Sequence, residues 1–181
     1  MAAPRESRPP VVVIVGPTAA GKSSMALRLA QDVGGEIINA DALQVYRGLE
    51  IGTDKPSAEM RRAVPHHLVD ILDPEEPYSA GEFARRARSA LDEIAGRGRT
   101  AFVVGGSGLY LRALLEGLAP VPRSDPTTRE QLEARLEAEG LPALRRELER
   151  VDPETAARLT LGDTQRTLRA LEVFEVSGIA L

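Results

Sequence analysis

The first residues to suggest chemistry are Gly16-Pro17-Thr18-Ala19-Ala20-Gly21-Lys22-Ser23, which satisfy the pattern G-x-x-x-x-G-K-[ST] at every fixed position. Glycines at that spacing let backbone N–H groups converge on phosphate oxygens at a helix N-terminus, where the helix dipole also favours an anion. Lys22 adds a point charge, and the Ser23 hydroxyl is the kind of hard oxygen that joins the shell of a Mg²⁺ ion. The motif supports phosphate binding and nothing narrower, leaving ATP, GTP and a diphosphate ester open. Further on, Asn39-Ala40-Asp41-Ala42-Leu43-Gln44 places a carboxylate just past a short apolar run, in the crevice at the carboxyl ends of strands where α/β proteins bind ligands. Asp41 there is either a proton acceptor or the acceptor of an Asx-turn, and spacing does not choose between them. A second glycine loop, Gly105-Gly106-Ser107-Gly108-Leu109-Tyr110, offers more backbone donors facing the same crevice, with Ser107 its most chemical member. A tight strand-to-helix turn that needs small residues accounts for the same glycines.

Other polar clusters are less specific. The histidines form one adjacent pair, His66-His67, and neighbours in a regular element cannot both face one ion, so a metal site is not expected there. Between Pro65 and Leu68 they are expected to shape a loop near the crevice. Arg61-Arg62 and Arg85-Arg86-Arg88 read as solvated helix faces. The chain holds no cysteine, which excludes disulfides, thiolate metal sites and thiol nucleophiles. Aromatic residues make up only 3%, so a stacking platform for single strands does not dominate the surface. A formal net charge of −4 argues against a uniformly basic nucleic-acid binder while leaving room for a local basic face.

These groups must be held by a framework, and the framework is legible. With 43% hydrophobic and 28% charged residues over 181 positions, the chain can bury one core of ordinary size. Val11 to Val15 is a continuous β-branched run, read as a strand buried on both faces of a parallel sheet. It enters the first glycine loop, and a helical pattern follows from Lys22 to the stop at Gly34-Gly35, then a short strand from Glu36 to Asn39. Phe83, Ala87, Ala90, Leu91 and Ile94 predict a helix over Ala80 to Ala95, and Thr100 to Val104 a further buried strand. Alternating strands and helices give an α/β fold with a doubly wound parallel sheet, of the P-loop NTPase-like kind, carrying a helical insertion. After Pro126, Leu132, Leu136, Leu144 and Leu148 predict a helical hairpin broken near Gly140 and Pro142, and Thr164 to Val176 a last helix. The Pro- and Arg-rich opening and the short Val11–Val15 run suit neither a signal peptide nor a membrane span, so a cytoplasmic location is expected.

Taken together, these motifs resemble the tRNA dimethylallyltransferase, or tRNA isopentenyltransferase, family. The resemblance runs through Gly16 to Ser23, Ala40-Asp41 with Gln44-Val45-Tyr46-Arg47-Gly48, Ile51-Gly52-Thr53 with Lys55-Pro56, and Pro65-His66-His67-Leu68. It continues through Asp70 to Pro74, Gly105-Gly106 with Gly108-Leu109-Tyr110, and Asp163 with Gln165-Arg166 and Arg169 to Val173. Ala42 stands where the family usually has Ser, and Ser107 where it usually has Thr. The resemblance implies transfer of a dimethylallyl group from dimethylallyl diphosphate to N6 of the adenine on the 3′ side of the anticodon in tRNA, with release of diphosphate. It implies that Gly16, Pro17, Thr18, Ala19, Ala20, Gly21, Lys22 and Ser23 bind the diphosphate, that Mg²⁺ is the cofactor with Ser23 beside it, and that Asp41 and Ser107 are catalytic. Asp41, Ala42, Leu43, Gln44, Ser107, Arg129, Gln165, Arg166, Thr167, Leu168 and Arg169 match its tRNA-contacting positions.

The partners so implied are the tRNA anticodon stem-loop and dimethylallyl diphosphate, with no membrane, for a monomer. The expected organisation is a P-loop core over residues 1–122, a tRNA-facing helical insertion over 123–162, and the start of a returning core helix over 163–181. The family continues past Leu181, so the chain is read as cut short at its C-terminus. The apolar face of the last helix is then expected to be uncovered. Alternatives are an adenylate isopentenyltransferase, a small-molecule P-loop kinase, and an inactive fragment that binds RNA or diphosphate.

Overall fold

The structure is a computed structural model and describes residues 9–118 and 121–181; the opening of the chain up to residue 8 lies outside it. The chain divides into two compact units, one ending at Leu118 and the other beginning at Ala119.

The first unit runs β1 (Val11–Val15), α1 (Lys22–Val33), β2 (Glu36–Asn39), α2 (Ala58–Ala63), β3 (His66–His67), α3 (Ala80–Gly96), β4 (Ala101–Gly105) and α4 (Gly108–Leu115). Its strands form a four-stranded sheet in the order β1-β4-β2-β3, and every pairing is parallel. Register follows the apolar pattern: Val103 pairs with Val13 on one side and with Ile38 on the other. Because successive side chains on a strand point to opposite faces, each strand serves two cores. Ile38, Val103 and Val13 pack with Phe83, Ala87, Ile94 and Leu111 of α3 and α4. Ile37, Phe102 and Val104 pack with Ala26 and Ala30 of α1. The sheet is thus covered by helices on both faces, the doubly wound arrangement anticipated from the alternating pattern.

One expectation is corrected. β1 is not buried on both faces: among the described residues it pairs only with β4, and Val11 and Val15 are 50% and 58% exposed. The fully buried strands are the central β2 and β4. A β-branched run reports strand propensity, whereas burial depends on what lies beside the strand.

At the amino end of β2, Glu36 is 2% exposed. Its carboxylate accepts from Arg97 Nε at 2.9 Å and Nη2 at 2.8 Å, from Arg99 Nη1 at 3.2 Å, and pairs with His67 Nε2 at 2.7 Å. The fork of Arg97 is the main reason its pKa is held down to about 2, with His67 adding to it against the cost of burial.

The second unit is helical: α5 (Pro126–Glu139), α6 (Leu141–Val151), α7 (Pro153–Arg158) and α8 (Thr164–Ser177). Asp125 and Asp163 cap α5 and α8 by accepting from the N–H groups of Thr128 and Arg166. Leu132, Leu144, Leu148, Ala156, Leu168 and Leu171 form its core. Three expectations change here. The boundary falls before residue 122, and α8 joins the hairpin helices in one unit with α5 and α6 rather than standing apart from them. Its apolar face is covered, with Leu168 and Leu171 each 1% exposed, because α5 and α6 supply the partner surface. Beneath it, the buried Glu172 accepts from Ser124 Oγ at 2.5 Å, the Asp125 N–H at 2.8 Å and Arg169 Nη1 at 2.9 Å.

Candidate functional site

The carboxyl ends of β2 and β4 open into a cavity of about 220 Å³. The loop between β1 and α1 forms one wall, contributing Thr18, Ala19, Lys22 and Ser23. Gly21 sits at the N-cap of α1 with φ 76°, a left-handed conformation that costs a glycine little and most residues more. That turn starts the helix at Lys22 and aims its first N–H groups at the cavity. Lys22 Nζ reaches back across the loop and donates to the Pro17 carbonyl at 2.6 Å. Ser23 is exposed and lines the cavity, and its hydroxyl makes no hydrogen bond among the described residues.

The floor comes from the ends of β2 and β4. A Cβ on Gly105 would lie 2.2 Å from the Ala40 carbonyl oxygen, so no side chain fits there and the two strand ends close up against each other. Gly105 and Gly106 line the cavity, while Ser107 does not. Ser107 occupies the N-cap of α4 without a side-chain cap bond, and its N–H donates to the Ala40 carbonyl at 3.4 Å. The glycine loop therefore acts as a close-approach turn, and it also keeps the Ser107 hydroxyl free of protein partners among the described residues.

The Asx-turn reading of Asp41 holds, and it occupies one carboxylate oxygen. Oδ1 accepts from the N–H groups of Leu43 at 2.8 Å and Gln44 at 3.3 Å, an Asx-turn. Oδ2 has no hydrogen bond among the described residues, and Asp41 lines the cavity. The turn thus fixes the carboxylate while leaving one oxygen unused. Leu43 and Gln44 line the same cavity, and Ala42 packs into the core beside α3 and α4.

Several lining residues carried no assigned role in the sequence reading: Asn39, Gly52, Thr53, Asp54 and Pro56; His66, expected to shape a loop near the crevice, lines the cavity too, but from a strand. The signal for the Gly52–Pro56 wall was present in Gly52-Thr53 and Lys55-Pro56, but nothing in the spacing said that Gln44 would hold it. Gln44 Nε2 donates to the carbonyls of Thr53 at 2.9 Å and Asp54 at 3.0 Å. His66 sits on β3 beside Ile37 of β2. Its Nδ1 is 2.7 Å from the Val64 carbonyl, which can only accept, so Nδ1 carries the proton. Burial pushes its pKa below the ordinary value, favouring the neutral ring with Nε2 as an acceptor. His67 turns away to Glu36, so the pair diverges as adjacency requires. No group of three or more His, Asp or Glu side chains able to hold a metal occurs among the described residues.

The expected RNA-facing residues of the second unit are partly brought together. Arg129 donates from Nη2 to Gln165 Oε1 at 2.8 Å, linking α5 to α8, and from Nε to Glu133 at 2.6 Å in an i,i+4 pair. Arg166 is exposed and pairs with Asp163, and Arg169 is engaged by Glu172 and the Pro122 carbonyl. Thr167 and Leu168 are 0% and 1% exposed, so helical periodicity places their side chains in the core and offers neither to a ligand. Among the arginines expected to be solvated faces, Arg85 and Arg86 pair with Glu82, and Arg88 instead donates to the carbonyls of Ala113 and Leu114 at the end of α4.

A parallel sheet wound on both faces, with a glycine loop and helix N-terminus at the same cavity as a strand-end carboxylate, defines an α/β protein of the P-loop class. The chain belongs to the IPP transferase family: the family profile of that description matches residues 44–181, and one described as isopentenyl transferase matches residues 9–69. It is similar to the tRNA dimethylallyltransferase of Halorhodospira halophila, with 55% identity over 93% of this chain and 54% of that protein. Among solved structures it is similar to a tRNA isopentenylpyrophosphate transferase from Bacillus halodurans, with 42% identity, TM-score 0.60, and coverage of 93% of this chain and 56% of the other. It is also similar to a eukaryotic dimethylallyltransferase acting on tRNA, with 34% identity, TM-score 0.81, and coverage of 95% and 43%. The chain spans about half the length of the curated relatives it matches.

Proposed function

We propose that the full-length protein transfers a dimethylallyl group from dimethylallyl diphosphate to N6 of the adenine on the 3′ side of the anticodon in tRNA. The observation that carries this reading is one cavity lined by both the glycine loop and Asp41, whose Oδ2 is unused among the described residues, in a chain of this family. The N6 lone pair attacks the allylic carbon as the carbon–oxygen bond breaks, and the bonding pair leaves on the diphosphate. Loop N–H groups and Lys22 stabilise the charge as it grows on the leaving group. An exocyclic amine delocalised into its ring is a weak nucleophile, so its proton passes to the Asp41 carboxylate.

Mg²⁺ suits the donors present, since Thr18, Ser23 and Asp41 bring hard oxygens to the cavity and the substrate supplies phosphate oxygens. Ser23 would hold it, and the ion would supply further neutralisation of the leaving diphosphate. Ser107 lies off the cavity lining beside Gly106, and its hydroxyl, free of partners among the described residues, would serve the diphosphate or the acceptor. On the RNA side, Arg129, Gln165 and Arg166 are the second unit's contacts. Among the described residues no helix is long and apolar enough to cross a membrane, and tRNA as substrate suits a cytoplasmic site.

The test is diphosphate release by the full-length protein with dimethylallyl diphosphate and Mg²⁺, given unmodified tRNA or free adenylate as acceptor. Release that needs tRNA is expected. Equal release with adenylate would replace tRNA by a nucleotide acceptor, and phosphate transfer from ATP to a small molecule would make the protein a kinase.

A further inference from the structure

Asn39 lines the cavity and is 6% exposed. Its Nδ2 donates to the carbonyls of Leu68 at 3.1 Å and Asp41 at 3.4 Å. Both of those oxygens can only accept, so the amide is locked with its own Oδ1 turned the other way. That oxygen accepts nothing among the described residues. The buried side-chain atoms left without a partner there are Tyr78 Oη and Arg145 Nε, so the Asn39 oxygen reaches open space, and the space its residue lines is the cavity.

Periodicity says what stands opposite. On β2, Asn39 is two residues beyond Ile37 and shares its face, the face that packs on Ala26 and Ala30 of α1. On α1, Ser23 is three residues before Ala26 and shares its side of the helix. Because α1 runs back from the carboxyl end of β1 toward the start of β2, the layer where Ala26 meets Ile37 is followed, toward the cavity, by one where Ser23 faces Asn39. Both line the cavity. His66, level with Ile37 on β3, lines it too, and with its Nδ1 proton committed to the Val64 carbonyl it has only an acceptor left, Nε2.

We propose that Asn39 Oδ1 accepts a hydrogen bond from a water carried by the divalent ion that Ser23 holds, which makes Asn39 a positioning residue for that ion. This rests on the function proposed above. A diphosphate at the loop offers only acceptors of its own, so it cannot satisfy the Asn39 oxygen. Lys22, the loop's own charged donor, reaches the Pro17 carbonyl instead. A Mg²⁺ ion dehydrates reluctantly and keeps several waters beside its phosphate ligands, and each of those waters is a donor in need of an acceptor. The side of the gap opposite Ser23 supplies one on a rigid strand. Outer partners of this kind orient the ligands that touch the metal and typically contribute 10–100-fold to its affinity.

The experiment titrates the full-length wild type, Asn39→Val and Asn39→Asp with Mn²⁺ in saturating inorganic diphosphate, reading free Mn²⁺ by its electron paramagnetic resonance signal. Binding of diphosphate without metal is measured beside it by calorimetry, each protein at a temperature where its melting curve shows it folded. Asn39→Val should bind Mn²⁺ roughly tenfold more weakly, with metal-free diphosphate affinity unchanged. Asn39→Asp loses the Nδ2 donor but keeps an oxygen acceptor, so its Mn²⁺ affinity should equal or exceed that of wild type. Equal loss of Mn²⁺ affinity in both variants would overturn the proposal, because the bonds from Nδ2 to Leu68 and Asp41 would then be what matters. Unchanged Mn²⁺ affinity in Asn39→Val would overturn it as well. So would a fall in metal-free diphosphate affinity as large as the Mn²⁺ loss, which would give the oxygen to Lys22. None of these readings uses tRNA or prenyl transfer, so their failure is distinct from failure of the proposed reaction, which shows as a wild type that leaves tRNA unmodified.

Discussion

The two ends of strand β2 use charge in opposite ways. At the amino end, Glu36 is buried and saturated by Arg97, Arg99 and His67. At the carboxyl end, just past Asn39, Asp41 lines the cavity, spends one oxygen on its own turn and leaves the other without a hydrogen bond among the described residues. Both are carboxylates on the same strand or its immediate extension, yet one has no unused acceptor directed at a ligand and the other has little else. The contrast separates groups that hold a fold from groups that can act on a substrate. A saturated ion pair fixes geometry and is silent chemically, whereas an oriented carboxylate with an unused lone pair can accept a proton at little cost in reorganisation.

Breaking the contrast at its active end should give the largest effect. Asp41→Asn keeps the turn acceptor but cannot take the amine proton, so single-turnover transfer should fall about 10²–10⁴-fold, with donor affinity by calorimetry unchanged. Next in size is Lys22→Ala, which removes the charge facing the diphosphate in both ground state and leaving group. Donor affinity and turnover should fall together by roughly tenfold or more, and unaltered donor binding would count against the loop as the diphosphate site. At the paired end, Glu36→Gln should lower stability by about 1–3 kcal/mol in denaturant unfolding while leaving kcat alone. The sign of its pH dependence follows from a folded pKa of about 2 against an ordinary 4.5. The stabilisation is complete above pH 4.5 and is lost as pH falls through about 2, so the gap between wild type and variant should close over that window. Smallest is Arg129→Ala: already partnered by Glu133 and Gln165, it should weaken tRNA binding by only a few-fold, less at high salt, with donor binding intact.

How much of this was legible in the sequence depends on whether a feature is local. The β1–loop–α1–β2 unit was readable because β-branched runs, glycines at fixed spacing and a glycine stop each act within a few residues. The hairpin break at Gly140 is local in the same sense. The two-residue β3 was not readable, since His66 and His67 are a strand only by pairing with Ile37 and Ile38. Nor was the edge position of β1, which depends on its neighbours and not on its valines. Asp41 shows the limit most clearly. The sequence offered a turn acceptor or a base, and only geometry shows that the turn takes one oxygen and leaves the other without a partner among the described residues. The Gly52–Pro56 wall was hidden for a related reason, because Gln44 and the buried Lys55 bring it to the site through contacts with distant backbone.

The contrast between the two ends of β2 is tested most directly by measuring melting temperature and single-turnover prenyl transfer side by side for Asp41→Asn and Glu36→Gln in the full-length protein. The account predicts a crossed result: Asp41→Asn melts with wild type and fails to transfer, and Glu36→Gln melts early but transfers at the wild-type rate at temperatures where it is folded. If Asp41→Asn transferred normally, or lost activity only in proportion to lost stability, the carboxylate would be another fold-holding group and the central claim would be wrong.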